Sequence, residues 1–326
     1  MKRASGSKDP DVRDLQTESF VNKPPNLATF AKGRPGKSGI MLIIVGLIVV
    51  FASIIGGFML MNGPLAVLIQ PAELVVIGGA VIGAMVIGSP SKLLGQMLKK
   101  IPAVIKGSPY NKDAFLDLLL LQYEIYLNVK KGGWLAIESD VSMPENSSIF
   151  TSHPHFLANH HARDFLCDSL MMLVNGAAHA EELEMAMEAE IETHHEEGTI
   201  APGILSKAAD SLPGLGIVAA VLGIVVTMQH IDGPPEEIGH HVAAALVGTF
   251  LGLLLSYGAI SPLSSNMEKL AQDEAKYFAC IKAGLITFAN GAAPAVAVEF
   301  ARRTIFSVDR PSSEELDKRL REIKPK

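Results

Sequence analysis

Charge is missing from long stretches of this sequence. Between positions 39 and 91 the only Asp, Glu, Lys or Arg is Glu73, and positions 212–231 and 242–267 contain none. Soluble domains rarely string together so many uncharged residues, whereas a hydrocarbon layer of ~30 Å requires about 20 of them per helix. A purely soluble enzyme is thereby excluded. Cysteine is scarce: Cys167 and Cys280 are too few and too far apart for a disulfide framework, and no zinc-type Cys pair occurs. There is no Gly-rich phosphate loop, no Ser/His/Asp or Cys/His arrangement at membrane depth and no nucleic-acid module. Neither catalysis nor a cofactor nor a nucleic-acid partner is expected. The ten histidines include four pairs. His194-His195-Glu196-Glu197, however, lacks the HExxH spacing that places two imidazoles on one helix face, so no metal site is expected.

What remains is 326 residues, 48 % apolar, with mean hydropathy +0.29 and formal charge −6. The charge-free blocks predict four membrane spans, at 39–61, 72–89, 212–230 and 242–262. Short connections make them two antiparallel hairpins. Eight Lys and Arg precede position 38, and Lys92, Lys99, Lys100 and Lys106 follow the second span, while the hairpin turns carry none. The positive-inside rule then places both termini and the middle segment in the cytoplasm. The basic leader is not read as a cleaved signal peptide, because the first apolar block is of full-span length and no small-residue cut site follows it.

Outside the spans, helical periodicity runs from 113 to 131, from 162 to 197, from 264 to 291 and from 312 to 323. Nothing alternates with period two over a useful length. The expected fold is all-α: an integral membrane protein of four transmembrane helices that extend into a cytoplasmic helical domain. Its expected divisions are a disordered basic extension at 1–37, hairpins at 38–91 and 209–264, and cytoplasmic helices at 92–208 and 265–326. The eight glutamates from Glu181 to Glu197 read as a solvated helix face.

Small residues form a stripe on each of the last two spans: Gly216, Ala220, Gly223 and Thr227 on one, Ala245, Thr249, Gly252 and Ser256 on the other. Close helix packing explains such stripes. A narrow pore wall would use the same pattern, with Thr227, Thr249, Ser256 and Tyr257 as its polar contacts. Patterning does not separate the two. An ion path at membrane depth normally uses an ionisable residue, and these two spans have no acidic one. Glu73, near the outer end of span two, reads as an interfacial or capping residue. A titrating carboxylate would therefore come from a partner helix. By themselves Pro213 reads as a first-turn proline and Pro262 as a helix-end marker.

The run Ala245 to Leu254 (ALVGTFLGLL), followed after seven residues by Pro262, resembles the fourth-span motif of the MotA/PomA flagellar stator family. Asp210 to Gly223 (DSLPGLGIVAAVLG) resembles that family's third-span entry, and Gln70 to Leu74 with Gly78-Gly79-Ala80 its second span. The segment 130–150, with Gly132-Gly133, Glu138 and Pro144-Glu145, resembles its cytoplasmic segment. The resemblance implies a homo-oligomer, a pentamer, in the lipid of the bacterial inner membrane around two copies of a MotB-type subunit. That partner has one span bearing the ion-binding aspartate and a peptidoglycan-binding domain. Ion flow down the gradient would drive motion against the rotor protein FliG.

By the same resemblance, Pro213 and Pro262 couple ion binding to movement, Lys130 and Glu138 face the rotor, Thr249 and Ala220 line the ion path, and Tyr257 lies on a span that lines it; Thr227 joins these path residues from the stripe pattern. Lys130 replaces the family's usual Arg, which keeps the sign and loses the planar fork. Lys131 and Asp140 read as solvated charges able to share that role. Ala220 stands where sodium-type members carry Thr, and its methyl offers no oxygen ligand, which points to protons. The alternatives are a sodium-driven stator, an ExbB/TolQ-type energiser of an envelope process, against which the first hairpin weighs, and a passive membrane scaffold.

Overall fold

The computed structural model describes residues 37–323. The expected basic extension falls outside these residues except for Lys37. Every regular element among the described residues is helical, as the absence of period-two alternation implies.

The first charge-free block forms α1 (Lys37–Leu60). In the turn after Leu60, Asn62 takes φ +57°, a left-handed conformation that asparagine tolerates. Pro71 opens α2 (Pro71–Gly88), where its missing amide hydrogen belongs to a donor that lacks a helical partner anyway. The lysine-rich α3 (Ser91–Lys106) follows. In α4 (Lys112–Gly132) the Asn111 side chain caps the start by accepting from the Ala114 amide. Gly133, at φ +75°, then turns the chain into the short α5 (Glu138–Ser142) and α6 (Pro154–Leu157).

The helical stretch expected at 162–197 is two helices. α7 (His160–Val174) stops at Asn175-Gly176, where Gly176 takes φ +61°. α8 (Ala180–Met228) then continues without a break through Pro202 and Pro213 to the end of the third apolar block, 49 residues in all. At 1.5 Å per residue that is about 70 Å, far more than a membrane span. α9 (Pro235–Leu255) returns through a turn of π-helix (Ser256–Ile260) directly into α10 (Ser261–Ala289). The chain closes with α11 (Pro294–Thr304) and α12 (Ser313–Glu322). Among the described residues four helical stretches are long and apolar enough to cross a membrane: Met41–Leu60, Leu65–Gly88, Ala180–Met228 and Pro235–Ala289.

Outside the apolar spans, α4, α7, α10, α11 and α12 enclose a conventional core. Phe165 meets Phe278 edge to face at 4.9 Å between centroids, and Tyr126 stacks on Phe288 at 4.4 Å. Leu118, Leu119, Ile281, Leu285 and Val298 fill the space between them. Because α8 and α10 belong to both regions, this core and the apolar spans are joined by two continuous rods.

Candidate functional site

The two small-residue stripes meet. α8 and α9 run antiparallel, and a methyl group added at Gly252 would stand 2.6 Å from the Leu212 carbonyl oxygen and 3.0 Å from the Gly216 Cα. One added at Gly216 would stand 2.8 Å from the Gly248 carbonyl oxygen, and one at Gly223 would stand 2.7 Å from the Ala245 Cβ. At Gly216 and Gly252 backbone therefore lies on backbone, and at Gly223 only the Ala245 methyl comes closer. For Gly216, Gly223, Ala245 and Gly252 the stripe is packing within one chain.

Two hydroxyls of the stripes are engaged in the seam. Thr227, fully buried, donates to the Gly223 carbonyl of its own helix at 2.8 Å. Ser256 donates across the seam to the Ala209 carbonyl at 2.7 Å. Farther along, Ser264 donates to the Pro202 carbonyl at 2.7 Å. Of the remaining path residues, Ala220 is buried, Thr249 is half-buried and Tyr257 is 68 % exposed. Around them Ile217, Val218, Val221, Leu222 and Leu246 present an apolar outer surface suited to lipid and to further subunits.

Neither proline occupies the position its residue type alone suggests. Pro213 is deep inside α8, not in a first turn. Pro262 follows the π turn within a continuous helical run, not at a helix end. A proline in a helix removes one backbone donor and bends the axis, and a π turn does the same by widening the ladder. The Ser261 amide donates to the Ser256 carbonyl, five residues back, immediately before Pro262. Both bends lie where the seam gives way to the cytoplasmic rods.

Glu73 also departs from the sequence reading. It makes no capping hydrogen bond; it is 9 % exposed, and its Oε2 is buried without a hydrogen-bond partner. A methyl added at Gly248 would come 2.5 Å from that oxygen, so the carboxyl fills the gap that glycine leaves in α9. Neither Ser264, which braces α10 on α8, nor the burial of Glu73 was signalled by sequence pattern. Ser256 was visible only as a member of its stripe.

At the far end of the molecule, Lys130 lies in the last turn of α4 and Glu138 opens α5, both exposed on either side of the Gly133 turn. Trp134, between them, packs edge-on against Phe288 at 5.6 Å and ties the turn to the core. Asp140 accepts from Ser147 at 2.6 Å, so its carboxylate is engaged within the fold. The following loop is held by His153, whose Nδ1 lies 2.6 Å from Asp117 and whose Nε2 lies 3.6 Å from Glu124. Burial alone would lower the His153 pKa, but hydrogen bonds to these two carboxylates raise it to about 9. Among the described residues no group of three His, Cys, Asp or Glu side chains converges as a metal site would require.

The family model for the motility protein A N-terminal region matches residues 44–133, and that of the MotA/TolQ/ExbB proton channel family matches residues 157–279. Motility protein A of Salmonella typhimurium is 41 % identical over 284 residues, which cover 87 % of this chain and 96 % of that one. The chain belongs to the motility protein A family. Solved structures share the fold. C. jejuni MotAB superposes with a TM-score of 0.71 at 22 % identity, covering 84 % of this chain and 99 % of that chain. The flagellar MotAB stator complex from Bacillus subtilis superposes with a TM-score of 0.61 at 24 % identity, covering 78 % and 92 %. Membership, together with four spanning helices, makes this a multi-pass inner-membrane subunit of a flagellar stator. Motility protein A chains are ion-channel-type motor components and not enzymes.

Proposed function

We propose that this chain forms the wall and the lever of a proton-driven stator whose titrating acid belongs to a MotB-type single-span subunit. A pentamer of the chain surrounds two copies of that partner. Both termini and the Gly133 turn are cytoplasmic, in keeping with the lysines of α3 and the absence of Lys and Arg from the hairpin turns. Protonation and release at the partner's carboxylate bias the packing of α8 and α9. The two rods carry that change through the bends at Pro213 and Pro262 to Lys130 and Glu138, which face FliG. A unit charge crossing 100 mV releases about 2.3 kcal/mol, comparable to the energy of a helix-packing change.

The observation that carries this reading is continuity. One unbroken helix and one run interrupted only by a π turn connect the apolar seam to the soluble core. A passive scaffold has no need of rods that leave the membrane and end in a domain with exposed charges. Protons are favoured over sodium because Ala220 supplies no oxygen where a desolvated sodium ion would need a ligand. Of the path hydroxyls, Thr249 is half-buried and Tyr257 largely exposed, and these two are left to meet the partner.

Swimming speed tests this reading. Cells should swim normally without sodium and stop when a protonophore collapses the proton gradient. Strict sodium dependence would overturn the choice of ion. Co-purification of the chain with a single-span, peptidoglycan-binding protein tests the assembly, and failure to recover such a partner from motile cells would count against it.

A further inference from the structure

Pro213 has no amide hydrogen, so the Ala209 carbonyl, four residues earlier, loses its normal intrahelical donor. Near the membrane there is little water to replace it, and a buried carbonyl without a partner is costly. The Ser256 hydroxyl lies 2.7 Å from that oxygen, and both residues are 1 % exposed. This contact is not the usual habit of a helical hydroxyl, which bonds back to a carbonyl of its own helix, as Thr227 does to Gly223. Ser256 crosses to the neighbouring helix instead. Serine has a short side chain, and it reaches because Gly252, one turn away, brings α9 to within contact of the Leu212 and Gly216 backbones. Ser256 is also the first residue of the π turn that leads to Pro262.

We infer that Ser256 is the positioning residue of the Pro213 bend: its hydroxyl replaces the amide hydrogen that the proline lacks and latches the bent helix to the π turn ahead of Pro262. The carbonyl freed at one proline and the turn preceding the other are thus the two ends of a single hydrogen bond. Movement of α9 at this level either carries the α8 bend with it or breaks the latch. The inference rests on the stator reading for its consequence in motility, but not for the hydrogen bond itself.

A double-mutant cycle in the full chain, expressed in its own cells, tests it with two readouts. The first is hydrogen-exchange protection of the α8 amides around Pro213 in the purified chain. Ser256→Ala should reduce that protection about tenfold, because it leaves a buried acceptor unpaired. The same change in a Pro213→Ala background should have almost no effect, since the restored amide at 213 takes the carbonyl back. Ser256→Thr, which keeps the hydroxyl, should retain protection. The second readout is swimming speed at matched protein levels, which Ser256→Ala should lower several-fold and Ser256→Thr should preserve. Equal losses of protection with and without Pro213 would overturn the latch, as would a Ser256→Thr variant as impaired as Ser256→Ala. Normal swimming by Ser256→Ala would overturn its positioning role. A deletion strain that swims normally would sink the stator reading while leaving the exchange cycle to decide the latch.

Discussion

The membrane seam and the cytoplasmic core are held together by opposite means. In the core, Phe165, Phe278, Tyr126 and Phe288 occupy space that only large side chains fill. In the seam, Gly216, Gly223, Gly248 and Gly252 leave so little space that any side chain would intrude. Burial of large side chains is driven by water, and the core lies where water is present. Lipid is as apolar as leucine, so inside the membrane the helices gain by close approach and by hydrogen bonds between them. One region is accordingly sensitive to removal of atoms and the other to their addition. On the proposed reading this is also a division of labour: a rigid body would suit a lever, and a thin contact between backbones the place where it is moved.

The largest break in this contrast comes from the core. Phe278→Ala should destabilise the cytoplasmic domain by about 3–5 kcal/mol, read by thermal unfolding of the solubilised chain. Gly252→Val should cost about 3 kcal/mol by overpacking, because the obstructing atoms at Leu212 and Gly216 are backbone and cannot turn aside. It should be accompanied by reduced levels of chain in the membrane. Gly248→Ala should be milder, about 1–2 kcal/mol, since the atom it meets is the end of the Glu73 side chain. Adding Glu73→Ala should relieve part of that loss, a coupling that independent sites would not show.

His153 sharpens the comparison by titration. Its pKa is raised from 6.5 to about 9 in the folded protein, so the charged imidazole stabilises the fold. The contribution is complete below about 6.5 and disappears as the pH rises through about 9. Thermal stability of the cytoplasmic domain should fall over that window, and His153→Gln should flatten the profile. The smallest effect on stability belongs to the tip. Lys130→Ala and Glu138→Ala should each change stability by less than about 0.5 kcal/mol, because both side chains are exposed. They should nevertheless slow swimming, and charge reversal at either should slow it further.

The spans were legible from missing charge alone, since hydrocarbon tolerates little else over 20 residues. The helical class was equally plain. The ends of elements were not. The expected 162–197 helix runs across Asn175-Gly176, where a left-handed glycine stops one helix and the next begins. Pro202 and Pro213, which argue locally for a boundary, sit inside a helix because packing against α9 and α10 outweighs the loss of two donors. In the site, residue type and spacing located the seam but could not say that Ser256 reaches the carbonyl freed by Pro213, a contact between positions 47 residues apart. The burial of Glu73 had no sequence signal either, since a carboxylate at a helix start reads equally well as a surface group.

The central claim is that this chain conducts nothing by itself and completes a proton path only with the acid of a partner subunit. Proton flux into vesicles carrying the purified chain, with and without the co-purified single-span subunit, tests it most directly. Flux that appears only when both are present is the predicted result. Selective proton flux through vesicles holding this chain alone would contradict it.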